Sequence, residues 1–226
     1  MEEIKDGKAH LIVTSPPYPM IKKWDYHFGK VSFGYQHRKL KKIWRECYRI
    51  LIEGGIMCVN MGDATRSIEG DFCCYPNYAK TVMMCKKIGF TPLIPIHWKK
   101  VSNRPNAFLG SGFLPPNCYV SQDCEYIAIF RKGRLRKFKP KDKRRLNSSF
   151  TKEERDVWFS QTWTIPGARG AKKTSAFPVK IPYRLIRMFS LINDLVVDPF
   201  CGTGTTGMVA KKLNRRFVGY DLGWSE

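Results

Sequence analysis

Five consecutive residues carry the functional groups needed to hold an amine: Thr14-Ser15-Pro16-Pro17-Tyr18. They follow a short apolar run, Leu11-Ile12-Val13, that reads as a buried strand. Two prolines then end any sheet ladder, because neither has an N–H to donate. The product is a stiff elbow that presents the Ser15 hydroxyl, peptide carbonyls with no obligatory partner, and the ring of Tyr18. The acceptors suit an exocyclic NH2, and a π-face suits the plane of the ring that bears it. A proline-stiffened loop with no chemical task would use the same residues, so the remainder of the chain has to decide.

A second constellation lies at Leu195-Val196-Val197-Asp198, a strand that runs into Pro199-Phe200-Cys201-Gly202-Thr203-Gly204-Thr205-Thr206. A helix is expected from about Thr206 to Leu213. Asn214-Arg215 then turns the chain into the strand Arg216-Phe217-Val218-Gly219, with Asp221 at its tip. A glycine loop between strand and helix lets a ligand approach the backbone, and the helix start offers free N–H groups. An acid one crossover later is placed to accept from ribose hydroxyls. Gly202-Thr203-Gly204 lacks the third glycine of a dinucleotide fingerprint, and no Gly-Lys-Ser/Thr follows as in a P-loop. The loop therefore suits a nucleoside-bearing ligand with little or no phosphate, although turn glycines alone would look the same.

Other elements must carry these two sites. Leu40, Ile43, Trp44, Cys47 and Leu51 recur at helical spacing, with Gly54-Gly55 as the expected stop. Ile56 to Met61 reads as a buried strand ending at Gly62-Asp63, so Leu11 to Met61 forms a strand–helix–strand crossover of parallel type. A helix over Tyr78–Ile88 stops at Gly89. Phe90 to Trp98 is β-like but broken by Pro92 and Pro95, which suits an edge or kinked strand. Ser102 to Asn117 reads as a long loop, and Glu125 to Phe130 as another strand. Pro19 to about Gln36 reads as a mobile loop over the site, with His27 and His37 at the surface. Asp63 is a weaker candidate for the pocket.

The formal charge is +21, from 40 Lys and Arg against 19 Asp and Glu, and this points to a polyanionic partner, nucleic acid first. No long apolar span, basic amphipathic helix or apolar leader supports a membrane. The charge concentrates in a run of Arg131, Lys132, Arg134, Arg136, Lys137, Lys139, Lys141, Lys143, Arg144 and Arg145. Thr151-Lys152-Glu153-Glu154 is a capping box opening a short helix. Trp158, Phe159 and Trp163 follow, then Arg169, Lys172 and Lys173. Cations suit phosphates and interleaved rings suit bases, although a solvated face would also carry such a run. The eight cysteines include no C-x-x-C pair, so no metal site is expected and reduced thiols in a cytoplasmic protein fit better.

Asp198-Pro199-Phe200-Cys201-Gly202-Thr203-Gly204-Thr205 resembles the S-adenosylmethionine-binding motif of amino-group DNA methyltransferases, and Thr14-Ser15-Pro16-Pro17-Tyr18 resembles their S/D/N-P-P-Y/F/W catalytic motif. The catalytic motif comes first, as in the permuted β class. The resemblance implies an α/β fold, a single Rossmann-like class I methyltransferase domain with a twisted, mostly parallel sheet and helices on both faces. It implies a catalytic half at 1–101 and a cofactor half at 174–226. Between them, 102–173 would be a basic insert for target recognition, projecting beside a crevice shared by the two motifs. Phe177-Pro178 is similar to the segment covering the methionine end of the cofactor. By the same resemblance Ser15, Pro16, Pro17 and Tyr18 would act on the substrate, and Asp198, Pro199, Phe200, Gly202, Gly204, Thr205 and Asp221 would hold S-adenosyl-L-methionine. Ser15 is similar to the cytosine-N4 subgroup. The basic residues would hold double-stranded DNA with the target base flipped out onto Tyr18, and Trp24 or Trp98 would either help hold it or simply pack. A homodimer, a companion restriction endonuclease and a prokaryotic, nucleoid-associated location are further implications. Members usually carry more sequence before the catalytic strand or after the acid, so the chain reads as a trimmed form, a minimal member or half of an assembly. Three other readings stay open: adenine-N6 methylation, an RNA substrate, and a non-catalytic nucleic-acid-binding regulator on the same scaffold.

Overall fold

The computed structural model describes residues 1–101, 115–117, 119–168 and 177–222. Its centre is β1 (Ala9–Thr14), whose side chains alternate between two apolar clusters. Leu11 and Val13 join one cluster and Ile12 the other, as the period-2 geometry of a strand covered on both faces requires. β2 (Leu51–Met61) and β9 (Leu195–Asp198) flank β1 in parallel, and β10 (Arg216–Gly219) adds parallel to β9. Beyond β2 lies β7 (Cys124–Lys132), which is antiparallel to it. β5 (Phe90–Pro92) and β6 (Ile96–Val101) pair with successive parts of β7 as one strand kinked around Pro95, and β8 (Thr162–Pro166) closes that side parallel to β6. The resulting eight-stranded sheet has the order β10-β9-β1-β2-β7-β6-β8, with β5 also on β7. β7 alone runs against the others.

Helices cover both faces. α2 (Phe33–Ile50) and α3 (Asn77–Ile88) supply Leu40, Trp44, Cys47, Met84 and Cys85 to one cluster. α6 (Lys180–Phe189) and α7 (Thr205–Lys212) supply Ile181, Leu185, Ile186, Val209 and Ala210 to the other. The short α1 (Asp25–Phe28), α4 (Lys143–Leu146) and α5 (Lys152–Trp158) lie in connections, and α5 opens with the expected capping box at Thr151 and Glu154. This is the Rossmann-like α/β arrangement that the sequence implies.

Several expectations change. Gly54-Gly55 does not stop a helix: α2 ends at Ile50 and β2 begins at once. Between the Ala9–Leu51 and Leu11–Ile56 pairs β2 carries extra residues, a bulge in which Gly54 takes φ 74°. A Cβ there would strike the backbone of Arg134 and Arg136, so close approach explains this glycine. Pro19–Gln36 is not simply a loop: it holds a 3-10 turn (Lys22–Trp24), α1 and the start of α2. His37 is not at the surface but fully buried. The strand at Ile96 is not an edge, since β7 and β8 flank it. A hairpin of β3 (Ala64–Ile68) and β4 (Asp71–Tyr75) turns through Glu69-Gly70, both at positive φ. This fits a two-residue hairpin loop whose Glu-Gly pair is a weak signal.

The largest correction concerns 102–173. The stretch is no appendage, because β7 and β8 are strands of the central sheet. Strand direction also relocates its basic run. Tyr126 pairs with Met61 at the carboxyl end of β2, whereas Arg131 pairs with Ile56 near the other end. The run from Arg131 to Arg145 therefore leaves the sheet at the amino ends of the parallel strands, not beside the crevice. Val101 and Pro166, paired with each other, end β6 and β8 on the crevice side instead. Arg169, Lys172 and Lys173 lie outside the described residues, as does most of the expected loop 102–117.

Candidate active site

The two motifs meet because β1 and β9 are neighbours that end at the same level. Thr14 Oγ1 donates to Asp198 Oδ1 at 2.6 Å, Thr206 Oγ1 to Oδ2 at 2.6 Å, and the Phe200 N–H to Oδ1 at 3.0 Å. Asp198 is buried, which pushes its carboxyl up to about 6, while these donors hold the ionised form. It thus clamps the proline elbow to the glycine loop, across a separation of 184 residues. Thr14 and Thr206 both stand within the two sequence motifs, but nothing in the sequence pairs either with Asp198.

Beyond the clamp, the loop turns through Gly202 (φ 45°) and Gly204 (φ 81°), and a Cβ on either would enter open space. Left-handed backbone and open approach are what a glycine loop provides for a ligand. Asp221 Oδ2 accepts from the Gly202 N–H at 2.9 Å, so the acid holds the loop itself. Cys201 N–H donates to Tyr220 O and Tyr220 N–H to Asp198 O, tying the loop to the end of β10. Burial, with the Asp198 and Asp221 charges, raises the Cys201 thiol above its ordinary range, which disfavours a thiolate nucleophile.

The elbow is held from behind by buried amides. Asn77 Nδ2 donates to both Pro19 O and Gly62 O at 3.0 Å. Its Oδ1 lies 3.0 Å from His37 Nε2, and since the amide N–H groups are spent, that imidazole nitrogen must be the donor. Burial lowers His37 to about 4, so it stays neutral at physiological pH. Gln36 Oε1 accepts from the Met20 N–H at 2.7 Å. Gln36 and His37, near the start of α2, are buried where they pin this loop.

At the front, Tyr18 Oη donates to Glu125 Oε2 at 2.7 Å, accepts from Asn60 Nδ2 at 2.7 Å, and lies 3.2 Å from Ser15 Oγ. Lys100 Nζ pairs with Glu125 Oε1. Burial first, then the Glu125 charge, raises Tyr18 well above the normal phenol range, so it stays protonated. The elbow and the glycine loop open on one cavity of about 680 Å³, of a size that encloses a small-molecule ligand. Its walls include Ser15, Pro16, Pro17, Tyr18, Asn60, Trp98, Lys100, Glu125 and Phe177, and on the other side Asp198 to Gly202, Thr205 and Asp221. Asn60 Oδ1 is a buried acceptor with no hydrogen-bond partner.

With the elbow and the glycine loop opening on one cavity, the chain can be set beside known proteins: a family model described as DNA methylase aligns with residues 9–226. The chain belongs to the N6/N4 DNA methylase family. Type II methyltransferase M.MjaI of Methanocaldococcus jannaschii is 50% identical, over 98% of this chain and 84% of its own. Type II methyltransferase M.MthZI of Methanothermobacter thermautotrophicus is 41% identical over 98% of this chain and 70% of its own. Among solved structures, a putative DNA modification methylase of Thermus thermophilus in complex with S-adenosyl-L-methionine is similar with a TM-score of 0.80. It is 33% identical, over 99% of this chain and 84% of its own. The PvuII cytosine-N4-specific DNA methyltransferase shares the fold, with a TM-score of 0.69 at 21% identity over 98% of this chain and 78% of its own.

Within this methylase the cavity gathers most of the candidates from the two motifs but none of the basic run from Arg131 to Arg145. Gly204 caps α7 and Pro178 accepts from the Ile181 N–H, and neither is among the cavity's lining residues. Asp63 accepts from the Tyr78 N–H at the start of α3 and is not a wall residue. Trp24 and Trp98 both line the cavity, and Trp98 also packs, its Nε1–H donating to Ile165 O at 2.8 Å. Several members of the basic run have internal contacts, Arg145 among them with its guanidinium over the Phe138 ring. Lys132 Nζ donates to Leu51 O and Arg131 Nε to Gly133 O, while Arg136 and Arg144 face the buried Asp194. Asn60, Lys100 and Glu125 were missed. A polar Asn60 in an otherwise apolar strand was the one available signal; Glu125 and Lys100 gave none, because only strand pairing brings them to Tyr18.

Proposed function

We propose that this methylase transfers a methyl group from S-adenosyl-L-methionine to the exocyclic N4 amine of a cytosine flipped out of duplex DNA. The observation that carries the reading is the single cavity shared by Ser15-Pro16-Pro17-Tyr18 and the glycine loop, with the Thr14–Asp198 clamp joining its two sides. S-adenosyl-L-methionine, when bound, supplies an electrophilic methyl on a sulfonium. The loop's open glycines, Asp221, and the apolar walls at Pro199, Phe200 and Phe177 fit such a group, with Thr205 beside them and Gly204 and Pro178 shaping the backbone behind. A base stacked in a duplex cannot enter a concave site, so the target must leave the stack. Inside, the Ser15 hydroxyl and Pro16 carbonyl accept the two amine hydrogens and draw them out of the ring plane, which localises the nitrogen lone pair. Tyr18, anchored by its hydroxyl and backed by Gly62, lines the cavity for the ring. Attack then depends on proximity and orientation, with no covalent enzyme intermediate.

Ser15 in place of an acid, similar to the cytosine-N4 subgroup, supports cytosine. The formal charge of +21 supports a DNA partner held through its phosphates. The exposed Arg134, Lys137, Lys139, Lys141, Lys143 and Arg145 contribute to long-range attraction. The Type II names of the relatives support a companion restriction endonuclease. The test is transfer of labelled methyl to mixed genomic DNA, with digestion to nucleosides. N4-methylcytosine is the expected product; N6-methyladenine would overturn the base assignment and keep the site. No product with cofactor bound would move the substrate to RNA, and no cofactor binding would favour the regulator.

A further inference from the structure

On the amine-methylation reading above, we propose that Glu125 is a positioning residue that sets the direction of a hydrogen-bond chain through Tyr18. That direction turns Ser15 into an acceptor for the target amine and gives the departing proton a terminus. A carboxylate only accepts, and an ammonium and an amide NH2 only donate. With Lys100 Nζ on Glu125 Oε1, the other carboxylate oxygen, Oε2, takes the Tyr18 hydroxyl hydrogen at 2.7 Å. Asn60 Nδ2, 2.7 Å from Tyr18 Oη and 2.6 Å from Glu125 Oε2, can only donate to both. The opposite amide orientation would set Asn60 Oδ1 against a carboxylate, so the assignment is fixed by charge.

Tyr18 Oη has then given its hydrogen and accepted one, leaving a lone pair for Ser15 Oγ at 3.2 Å. Ser15 must donate into that lone pair, because the Tyr18 hydrogen is committed elsewhere. Its own lone pairs are left for the cavity. An NH2 group arriving there meets an acceptor and never a competing donor. Without Glu125 the Tyr18 hydroxyl could turn toward Ser15, and the Ser15 hydrogen would then face the amine. The chain is also balanced for the chemistry. As nitrogen gains a methyl and the donor sulfur takes back the electron pair of the broken bond, one N–H proton must leave. It passes to Ser15 Oγ, the Ser15 hydrogen to Tyr18 Oη, and the Tyr18 hydrogen to Glu125 Oε2. One proton thus arrives on Glu125 and each hydroxyl is restored.

Lys100 makes the claim sharp. In Glu125→Gln, Lys100 draws the amide oxygen to itself and leaves the amide NH2 facing Tyr18. That reverses the chain rather than merely weakening it. The experiment measures single-turnover methyl transfer and S-adenosyl-L-methionine affinity for wild type, Glu125→Gln, Tyr18→Phe, their double variant, and Glu125→Gln with Lys100→Met. Expected are a loss of about 100-fold in Glu125→Gln, the scale of a positioned proton acceptor, and a smaller loss of about 10-fold in Tyr18→Phe. The Tyr18→Phe/Glu125→Gln pair should be no slower than Tyr18→Phe alone. Adding Lys100→Met should recover part of the Glu125→Gln loss, because the amide is free to rotate. Cofactor affinity should stay within about 2-fold throughout, as these residues lie on the elbow side. A wild-type rate in Glu125→Gln, or losses that multiply in the double variant, would overturn the inference while leaving the methylation reading intact. Absence of transfer by the wild type would instead sink that reading.

Discussion

The two ends of the central sheet are made by the same strands, yet they use polar residues in opposite ways. At the carboxyl ends, Ser15, Tyr18, Asn60 and Glu125 line a cavity and hold their hydrogens in a directed chain. At the amino ends, Arg136 Nη1 pairs with the fully buried Asp194 at 2.7 Å, with His10 and Arg144 nearby, and Lys132 caps backbone carbonyls. Polar groups at one end are arranged for a ligand, and several of those at the other are consumed by the fold. What separates the two is strand direction. β7 runs against its neighbours, so a basic run that follows it in sequence emerges at the far end from the chemistry.

The largest expected effect comes from opening the clamp. Asp198→Ala leaves Thr14 and Thr206 without their buried acceptor and frees the Phe200 N–H. We expect a loss of about 4 kcal/mol of stability by denaturant titration, since hydrogen bonds to a charged group count for about 1.5–3 kcal/mol each. Cofactor affinity should fall by at least about 100-fold in the same variant. A stable protein with unchanged affinity would show that the two motifs are not coupled through this carboxylate.

Arg136→Met tests the other end. Removing one partner of a buried pair leaves Asp194 under-compensated, at a cost of about 3 kcal/mol. Transfer per folded molecule should be unchanged, which a rate normalised to the folded fraction would show. A variant that folds normally but transfers slowly would place Arg136 in the functional surface instead.

A pH titration separates the elbow's support from both ends. His37 lies near 4 when folded and is 6.5 ordinarily, so the unfolded chain takes its proton first. Its contribution is therefore complete above about pH 6.5 and is lost as pH falls toward 4, by about 3 kcal/mol at most. Asp198 has the reverse sign: its carboxyl, raised to about 6 from 3.8, favours the folded state as pH falls through that window. The stability of His37→Gln relative to wild type should hence rise by about 3 kcal/mol between pH 6.5 and 4. A constant difference in urea titrations would mean that His37 is not buried neutral.

The smallest effect concerns the exposed cations. Neutralising Lys137, Lys139 and Lys141 together should change the slope of log affinity against log salt by less than about 1. Direct contact with three phosphates would change it by about 3.

How much of this was legible follows from what each signal encodes. The elbow and the glycine loop were readable because proline and glycine restrict backbone locally. Their adjacency was implied by the strand pattern before each of them. The Asp198 clamp was not, because its partners Thr14 and Thr206 lie 184 residues before it and 8 after it, and no local pattern links either to the carboxylate. The basic run was visible as charge, but its place depended on the direction of β7, which periodicity does not report. Gly54-Gly55 looked like a helix stop because glycine serves both helix ends and bulges, and only the register with β1 distinguishes them. His37 looked superficial because its burial depends on Asn77, forty residues on.

The most direct test of the account compares wild type with Ser15→Ala in single-turnover methyl transfer to duplex DNA, with cofactor affinity measured on the same samples. Because the hydrogen bond described for Ser15 is to Tyr18 in the elbow network, the variant should bind S-adenosyl-L-methionine as wild type does and transfer at least about 100-fold more slowly. Full-rate transfer by Ser15→Ala, with its affinity intact, would contradict the assignment of the elbow as the amine-holding site.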